Sequence, residues 1–357
     1  MSLPHDGVRE LVALRADWLT GRGPHADVVI SSRVRLARNL EGMAFPQAAD
    51  EPARSEVLAA VKSAAMQNNY FQGAAFFACQ DLSPLGKQAL VERRMASRDL
   101  VGMGAGSGVL VGSEQSLSLM INEEDHLRLQ GMFSGLDLLE AFRVADQIDD
   151  MLQERLDFAF SEEWGFLTAC PTNVGTGLRA SMLLHLPGLV LTGRIDEVLN
   201  AMDQVGMTVR GIYGENSEVL GHLFQVSNRT SLGSTELEII ESVERAGRHL
   251  LDEEGRARET LRERAGRETE DKVWRALGIM QNARVMTSEE FLNLSSAVRM
   301  GLSLEAIDKP DLATLNELLV MTQPAHLQLY CDQAMEARER DVRRAELVRQ
   351  RTKERMT

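Results

Sequence analysis

Four short runs place charged side chains where they could handle an anion and a cation together. The first is Ser31-Ser32-Arg33-Val34-Arg35. In an extended chain alternate residues share a face, so Arg33 and Arg35 point the same way. Two neighbouring guanidiniums repel, and an anion between them resolves the repulsion; a solvated strand edge with basic residues reads equally well from this run alone. The second is Asn122-Glu123-Glu124-Asp125-His126-Leu127-Arg128, directly after an apolar stretch. Adjacent acids there could hold Mg²⁺, accept a proton or clamp a cationic substrate, or simply form an acidic turn. In the third, Cys170-Pro171-Thr172-Asn173-Val174-Gly175-Thr176-Gly177-Leu178-Arg179-Ala180-Ser181, a glycine- and threonine-rich loop leads into a helical-looking segment at 178–185. Backbone amides at a helix start favour anions, and Arg179 adds charge. Cys170 suits a nucleophile, a polar contact or a plain buried thiol. The fourth, Arg210-Gly211-Ile212-Tyr213-Gly214-Glu215, sets an arginine and a carboxylate around glycines, as a hairpin turn also would.

Each run supplies an arginine, and the second and fourth supply carboxylates. Phosphoryl transfer consists mainly of positioning and of neutralising phosphate charge, so arginines converging on a nucleotide make physical sense. The carboxylates then fit a cationic acceptor. A guanidinium stays protonated at neutral pH, and a carboxylate pair can orient its nitrogens and take up the proton.

The elements that must position these groups show different textures. Up to about residue 233, β-like runs at 28–32, 75–79, 109–112 and 117–121 mix with amphipathic helices at 52–69 and 137–160. Strands outnumber long helices and do not alternate strictly with them. The fold class expected is therefore α+β, an antiparallel β-sheet flanked by helices. From Thr235, where Glu238 completes a capping box, the chain turns helical, with a long run expected through 263. Thr287 and Glu290 repeat the signal, and Pro324 could open a last helix to about 355. The expected organisation is a catalytic domain at 1–260 and a helical C-terminal domain at 261–357.

Thirty-nine basic against fifty-three acidic residues give a net charge of −14 over 357 residues, which argues against nucleic acid and anionic membranes as partners. No apolar run approaches the ~18 residues of a membrane span, and the opening residues have no signal-peptide core. A cytoplasmic location is the expectation. The three cysteines are odd in number and far apart, and the histidines are scattered, so neither a disulfide framework nor a metal site is expected. The glycines at 102–108 miss the dinucleotide-binding spacing and precede a strand rather than a helix.

SSRVRLARNLEGMAFP, NEEDHLR, CPTNVGTGLRAS and RGIYGE with the downstream FQVSN resemble, in order, the ATP:guanido phosphotransferase (phosphagen kinase) catalytic domain over roughly 28–241. The resemblance implies an eight-stranded antiparallel sheet and binding of ATP, with Mg²⁺ carried mainly by the nucleotide. ATP would be held by Ser31, Ser32, Arg33, Val34, Arg35, Arg128, Arg179, Ala180, Ser181, Met182, Leu183 and the residues Arg210, Gly211, Ile212, Tyr213, Gly214 and Glu215. Glu124 and Glu215 would hold and deprotonate the acceptor guanidinium, with Cys170 beside it as an electrostatic contact. Arg94 stands where the family usually has a histidine near the nucleotide, and His126 would orient its neighbours.

Arg340-Asp341-Val342-Arg343-Arg344-Ala345 decides the branch. On a helix Arg340 and Arg344 share a face and repel unless an anion lies between them, Asp341 could hold a guanidinium, and Ala345 leaves room. An ordinary charged helix face reads the same way. The run is similar to the RDxxRA motif of McsB-type protein-arginine kinases, where it implies an allosteric phosphoarginine pocket. Creatine and arginine kinases carry a helical domain ahead of the arginine-rich strand, whereas here the extra helices follow. The resemblance implies arginine phosphorylation in proteins during stress response, with CtsR-like repressors and unfolded proteins as substrates. It also implies an McsA-like activator, a ClpC-type ATPase downstream, and a homodimer as the typical assembly.

Overall fold

The structure, a computed structural model, describes residues 7–211 and 220–353. Its organising strand is β1 (Val29–Arg38), longer than the run expected at 28–32. Val34 and Leu36 are fully buried on one face, while Arg33 and Arg35 take the other. Strands β2 (Ala75–Ala78), β3 (Gly108–Val111), β4 (Leu117–Ile121) and β5 (Leu127–Ser134) lie to one side of it. After a two-stranded hairpin of β6 (Phe160–Ser161) and β7 (Gly165–Phe166) come β8 (Leu178–His185), β9 (Met207–Gly211) and β10 (Leu223–Asn228). The sheet has eight strands in the order β2-β3-β4-β5-β1-β8-β10-β9, all neighbours antiparallel, as the α+β reading required.

The segment 178–185, read as helical, is instead the inner strand β8. It is paired on both sides, by β1 and β10, and both its faces are buried. Strands covered on both faces lose the polar–apolar alternation by which a strand is recognised. The anion-binding helix start expected there is therefore absent, and the strand itself presents Arg179.

Around the sheet lie α1 (Val8–Ala13), α2 (Glu51–Met66), α3 (Pro84–Glu92), α4 (Arg98–Met103), α5 (Leu138–Gln153), α6 (Pro187–Leu191) and α7 (Ile195–Gln204). Asp50 caps α2 by accepting from the Ala53 amide at 3.0 Å. Helices α2 and α5, with the start of α8 (Glu236–Asn282), cover the face carrying Val34, Leu36, Ala180 and Met182. The Thr235–Glu238 capping box opens α8 as expected, but the helix runs past 263 to Asn282. Its backbone breaks from helical geometry at Ala265 (φ −142°, ψ 35°). Gly247 lets α8 lie directly on β8, since a Cβ there would stand 2.6 Å from the Met182 sulfur.

Beyond Ala265 the helix enters a second core with α9 (Ser288–Ser303), α10 (Leu312–Met321), α11 (Pro324–Cys331) and α12 (Ala337–Lys353). The single helix expected from Pro324 to about 355 is two, because Asp332 closes α11 in the left-handed conformation (φ 52°). Leu183, Met120 and Met132 join this second core from the sheet, so the helical region packs on the face opposite α2 and α5.

Candidate active site

Strand register gathers the arginines. Arg35 stands opposite Arg179 on β8 and Gln130 on β5, Arg33 opposite Ser181, and Arg128 opposite Ala37. Across β10, Gln225 pairs with both Leu183 and Arg210. Directly opposed residues of antiparallel strands share a face. Arginines 33, 35, 128, 179 and 210 therefore all project from one face of the sheet. A cavity of about 690 Å³ opens there, lined by Arg33, Arg35, Arg94, Arg128, Gln130 and Leu183 among others.

The register also separates these from other expected nucleotide contacts. The Val34, Ala180 and Met182 side chains face the opposite core. Ser32 accepts from the Asp137 amide at 2.9 Å and donates to the Gly135 carbonyl at 2.8 Å, so it holds the turn into α5. Ser31 is buried on the arginine side, and Ser181 accepts from Arg33 Nε at 3.3 Å. Gly211 ends β9; Ile212, Tyr213, Gly214 and Glu215 lie outside the described residues.

The cluster gathers like charges that the Arg128–Glu123 ion pair offsets only in part. Burial and then Arg94, Arg128 and Arg179 pull Arg33 down to about 9. Burial and the cations of Arg33, Arg128 and Arg179 pull Arg35 well below the ordinary arginine value, against the pull of Glu123. Burial, Arg210 and Arg128 lower Arg179, which donates to Ser227 at 3.2 Å. The Nε groups of Arg35, Arg128 and Arg179 are buried without a hydrogen-bond partner. Unmet buried donors on crowded cations fit a polyanion.

Arg94 adds a further cation. Its backbone is left-handed (φ 63°), its carbonyl accepts from Gln130 at 2.8 Å, and it is the cation bearing most strongly on Arg33. Such a backbone costs about 1–3 kcal/mol in a non-glycine residue and marks a position held for a reason.

The acidic run divides its labour in a way its sequence does not announce. Glu123 is buried, pairs with Arg128 and accepts from Ser97 Oγ at 2.5 Å. Asp125 accepts from Asn39 at 2.6 Å and from the Ala169 amide at 2.7 Å, fixing the loop that carries Cys170. His126 Nδ1 accepts from the Leu40 amide at 3.0 Å, so Nε2 carries the proton and donates to the Ala44 carbonyl at 2.9 Å. Both ring nitrogens are used, which leaves His126 an orienting residue. The Glu124 carboxylate accepts no hydrogen bond among the described residues, and burial, Asp125 and Glu123 raise it above the ordinary glutamate value. It lies within electrostatic reach of Arg128 and Arg179, as the Cys170 thiol does of Arg179. The Cys170 sulfur is 3.0 Å from Thr172 Oγ1. No group of three or more metal-ligating side chains occurs among the described residues.

In the Arg340–Ala345 run, Asp341 already holds a guanidinium of its own chain. Arg344 is buried and donates to Asp341 at 2.5 Å, to the Met286 carbonyl at 2.9 Å and to the Thr322 carbonyl at 2.9 Å. Arg340 donates to the Met335 carbonyl at 2.7 Å, and Ala345 is fully buried. Arg344 is thus satisfied internally, and no anion is needed to relieve it. Sequence reasoning missed Gln130 and the side chains of α10 and α11 that line the cavity, and nothing in the local sequence marks them.

Residues 56–257 match the ATP:guanido phosphotransferase C-terminal catalytic domain, and residues 266–357 match the protein-arginine kinase McsB C-terminal domain. A protein-arginine kinase of Symbiobacterium thermophilum is 46% identical over 350 residues, 97% of this chain and 99% of the relative. One of Bacillus subtilis is 42% identical over 339 residues, 94% and 93% of the two chains. Among solved structures, lombricine kinase superposes with a TM-score of 0.57 at 22% identity, over 68% of this chain and 71% of that one. The duplicated taurocyamine kinase of Schistosoma mansoni with transition-state-analogue components gives 0.59 at 24%, over 82% and 42%.

Proposed function

The chain belongs to the ATP:guanido phosphotransferase family, and from that premise we propose that it transfers the γ-phosphoryl group of ATP to arginine side chains of proteins. One observation carries the proposal: the sheet register sets five arginines on one face, with the single uncommitted carboxylate of the acidic run, Glu124, beside them among the described residues. The names of the full-length relatives support arginine in proteins as the acceptor.

Arg33, Arg35, Arg128, Arg179 and Arg210 bind the phosphates and spread the charge of the transferring group. Mg²⁺, carried by the nucleotide, would add to the neutralisation of the phosphate charge. Glu124 orients the acceptor guanidinium and receives its proton as nitrogen bonds to the γ-phosphorus and ADP leaves. A carboxylate raised by burial is the better base for this. Glu215 serves as the second carboxylate, and the Cys170 thiol completes the guanidinium's surroundings.

Domains at 1–260 and 261–357 divide the work, the second sensing phosphoarginine around Arg340, Asp341, Arg344 and Ala345. Since Asp341 is paired with Arg344, an incoming guanidinium competes for it. The physiological reading is a cytoplasmic bacterial stress enzyme, active as a homodimer with an McsA-like activator. It marks unfolded proteins and CtsR-like repressors for ClpC-type proteolysis.

Incubation with ATP, Mg²⁺ and an arginine-rich protein should give acid-labile phosphate on arginine. Modification of free arginine alone would replace this reading with that of a small-guanidine kinase. Transfer to neither, with phosphoarginine still bound, would leave a phosphoarginine-binding regulator.

A further inference from the structure

The cavity under the arginines is not closed by the sheet and its own helices. Part of its wall comes from the end of α10 and the start of α11, through Leu319, Val320, Gln323 and Pro324. The same cavity is thus lined by Arg33, Arg35 and Arg128 from the sheet and by Leu319, Val320 and Pro324 from the helical region. Its volume falls within the ~300–1,000 Å³ of small-molecule sites. A nucleoside triphosphate offers a surface for each, a polyanion for the arginines and a flat, weakly polar base for the apolar side chains.

The turn between α10 and α11 is clamped from two sides. Thr322, the residue that ends α10, has its carbonyl held by Arg344 Nε at 2.9 Å, and the same guanidinium is anchored to Met286 and Asp341. On the other side Glu92 accepts from the Ala325 and His326 amides, each at 3.0 Å, and from His326 Nδ1 at 2.9 Å. A carboxylate at a helix N-terminus is a favourable placement. Glu92 also lines the cavity, two residues before Arg94. The wall, the buried arginine of α12 and the segment carrying Arg94 are therefore joined by short hydrogen bonds.

We infer that the helical region completes the nucleotide site: the α10–α11 turn receives the nucleoside, and Arg344 is a positioning residue that holds this turn in place. The inference rests on the cavity being the ATP site. It gives Arg344 a task in nucleotide binding that is separate from any contact with phosphoarginine.

The test is equilibrium titration of the full-length protein with ATP and with inorganic tripolyphosphate, with no arginine or phosphoarginine present. In Gln323→Trp the added bulk should weaken ATP by about tenfold, equivalent to about 1.4 kcal/mol, and leave tripolyphosphate within about twofold. Arg344→Lys cannot keep its hydrogen bonds in one geometry. It should weaken ATP by a similar factor in the same titration while tripolyphosphate again stays within about twofold. Should that variant fail to fold, Gln323→Trp decides alone. Equal weakening of ATP and tripolyphosphate in Gln323→Trp, or none of either, overturns the inference and leaves the kinase reading standing. Absence of ATP binding by the unaltered protein overturns both.

Discussion

The two faces of β1 use the same side chain in opposite ways. Toward α5, Arg38 is saturated: it donates to Asp149 at 2.7 and 3.0 Å, to the Ala37 carbonyl at 2.9 Å and to the Thr176 carbonyl at 2.8 Å. Its guanidinium also stacks 3.5 Å from the centre of the Phe166 ring. Toward the cavity, Arg33 and Arg35 face other arginines, and Arg35 keeps an unpartnered buried Nε. A cation whose hydrogen bonds are complete holds the fold together. One whose hydrogen bonds are incomplete, among like charges, is held by the fold at a cost that a polyanion offsets. The acidic run repeats the contrast, with Glu123 and Asp125 committed and Glu124 open.

The largest effect should come from the open carboxylate. Glu124→Gln should lower the transfer rate by about 10²–10⁴-fold, with ATP binding changed little in titration. In the unaltered enzyme the rate requires ionised Glu124, so it should fall as pH drops through that group's raised pKa. The acid limb of kcat/KM, which reports the free enzyme, should therefore lie above the ordinary glutamate value of 4.5. A limb at or below that value, or near-normal turnover in the variant, would remove Glu124 from the chemistry.

Next in size is the saturated arginine. Arg38→Ala leaves Asp149 buried beside no cation and should cost about 3–5 kcal/mol in chemical denaturation. Arg35→Ala should do the reverse. It should weaken ATP by about 1.5–3 kcal/mol, the usual range for hydrogen bonds to charged groups, while Tm holds or rises as repulsion is relieved. Equal loss of stability in both variants would erase the distinction between the faces.

Much of this arrangement was legible in the residues. Period-two spacing aligned Arg33 with Arg35, and the apolar run at 117–121 is β4 as expected. What failed did so for local reasons. LRASMLLH gives no alternation because both its faces are covered, so it imitated a helix. Nothing in the text of Glu123-Glu124-Asp125 separates the free acid from the two committed ones. That assignment depends on Ser97, Arg128, Asn39 and the Ala169 amide, brought in from distant segments. The break at Asp332 rests on one left-handed residue with no glycine to announce it. The α10 and α11 lining of the cavity comes from side chains roughly two hundred residues beyond Arg128, at a distance no periodicity reports.

The course of α8 from Glu236 to Asn282, kinked at Ala265, has a consequence for engineering. A chimaera spliced at residue 260, the natural choice from sequence matching, would cut the first arm of that helix in mid-turn, just before its kink, and graft mismatched halves there. Exchange of helical regions between relatives should succeed only when the donor brings all of α8 with the sheet residues beneath it, or when the seam is moved to the short connection after Asn282.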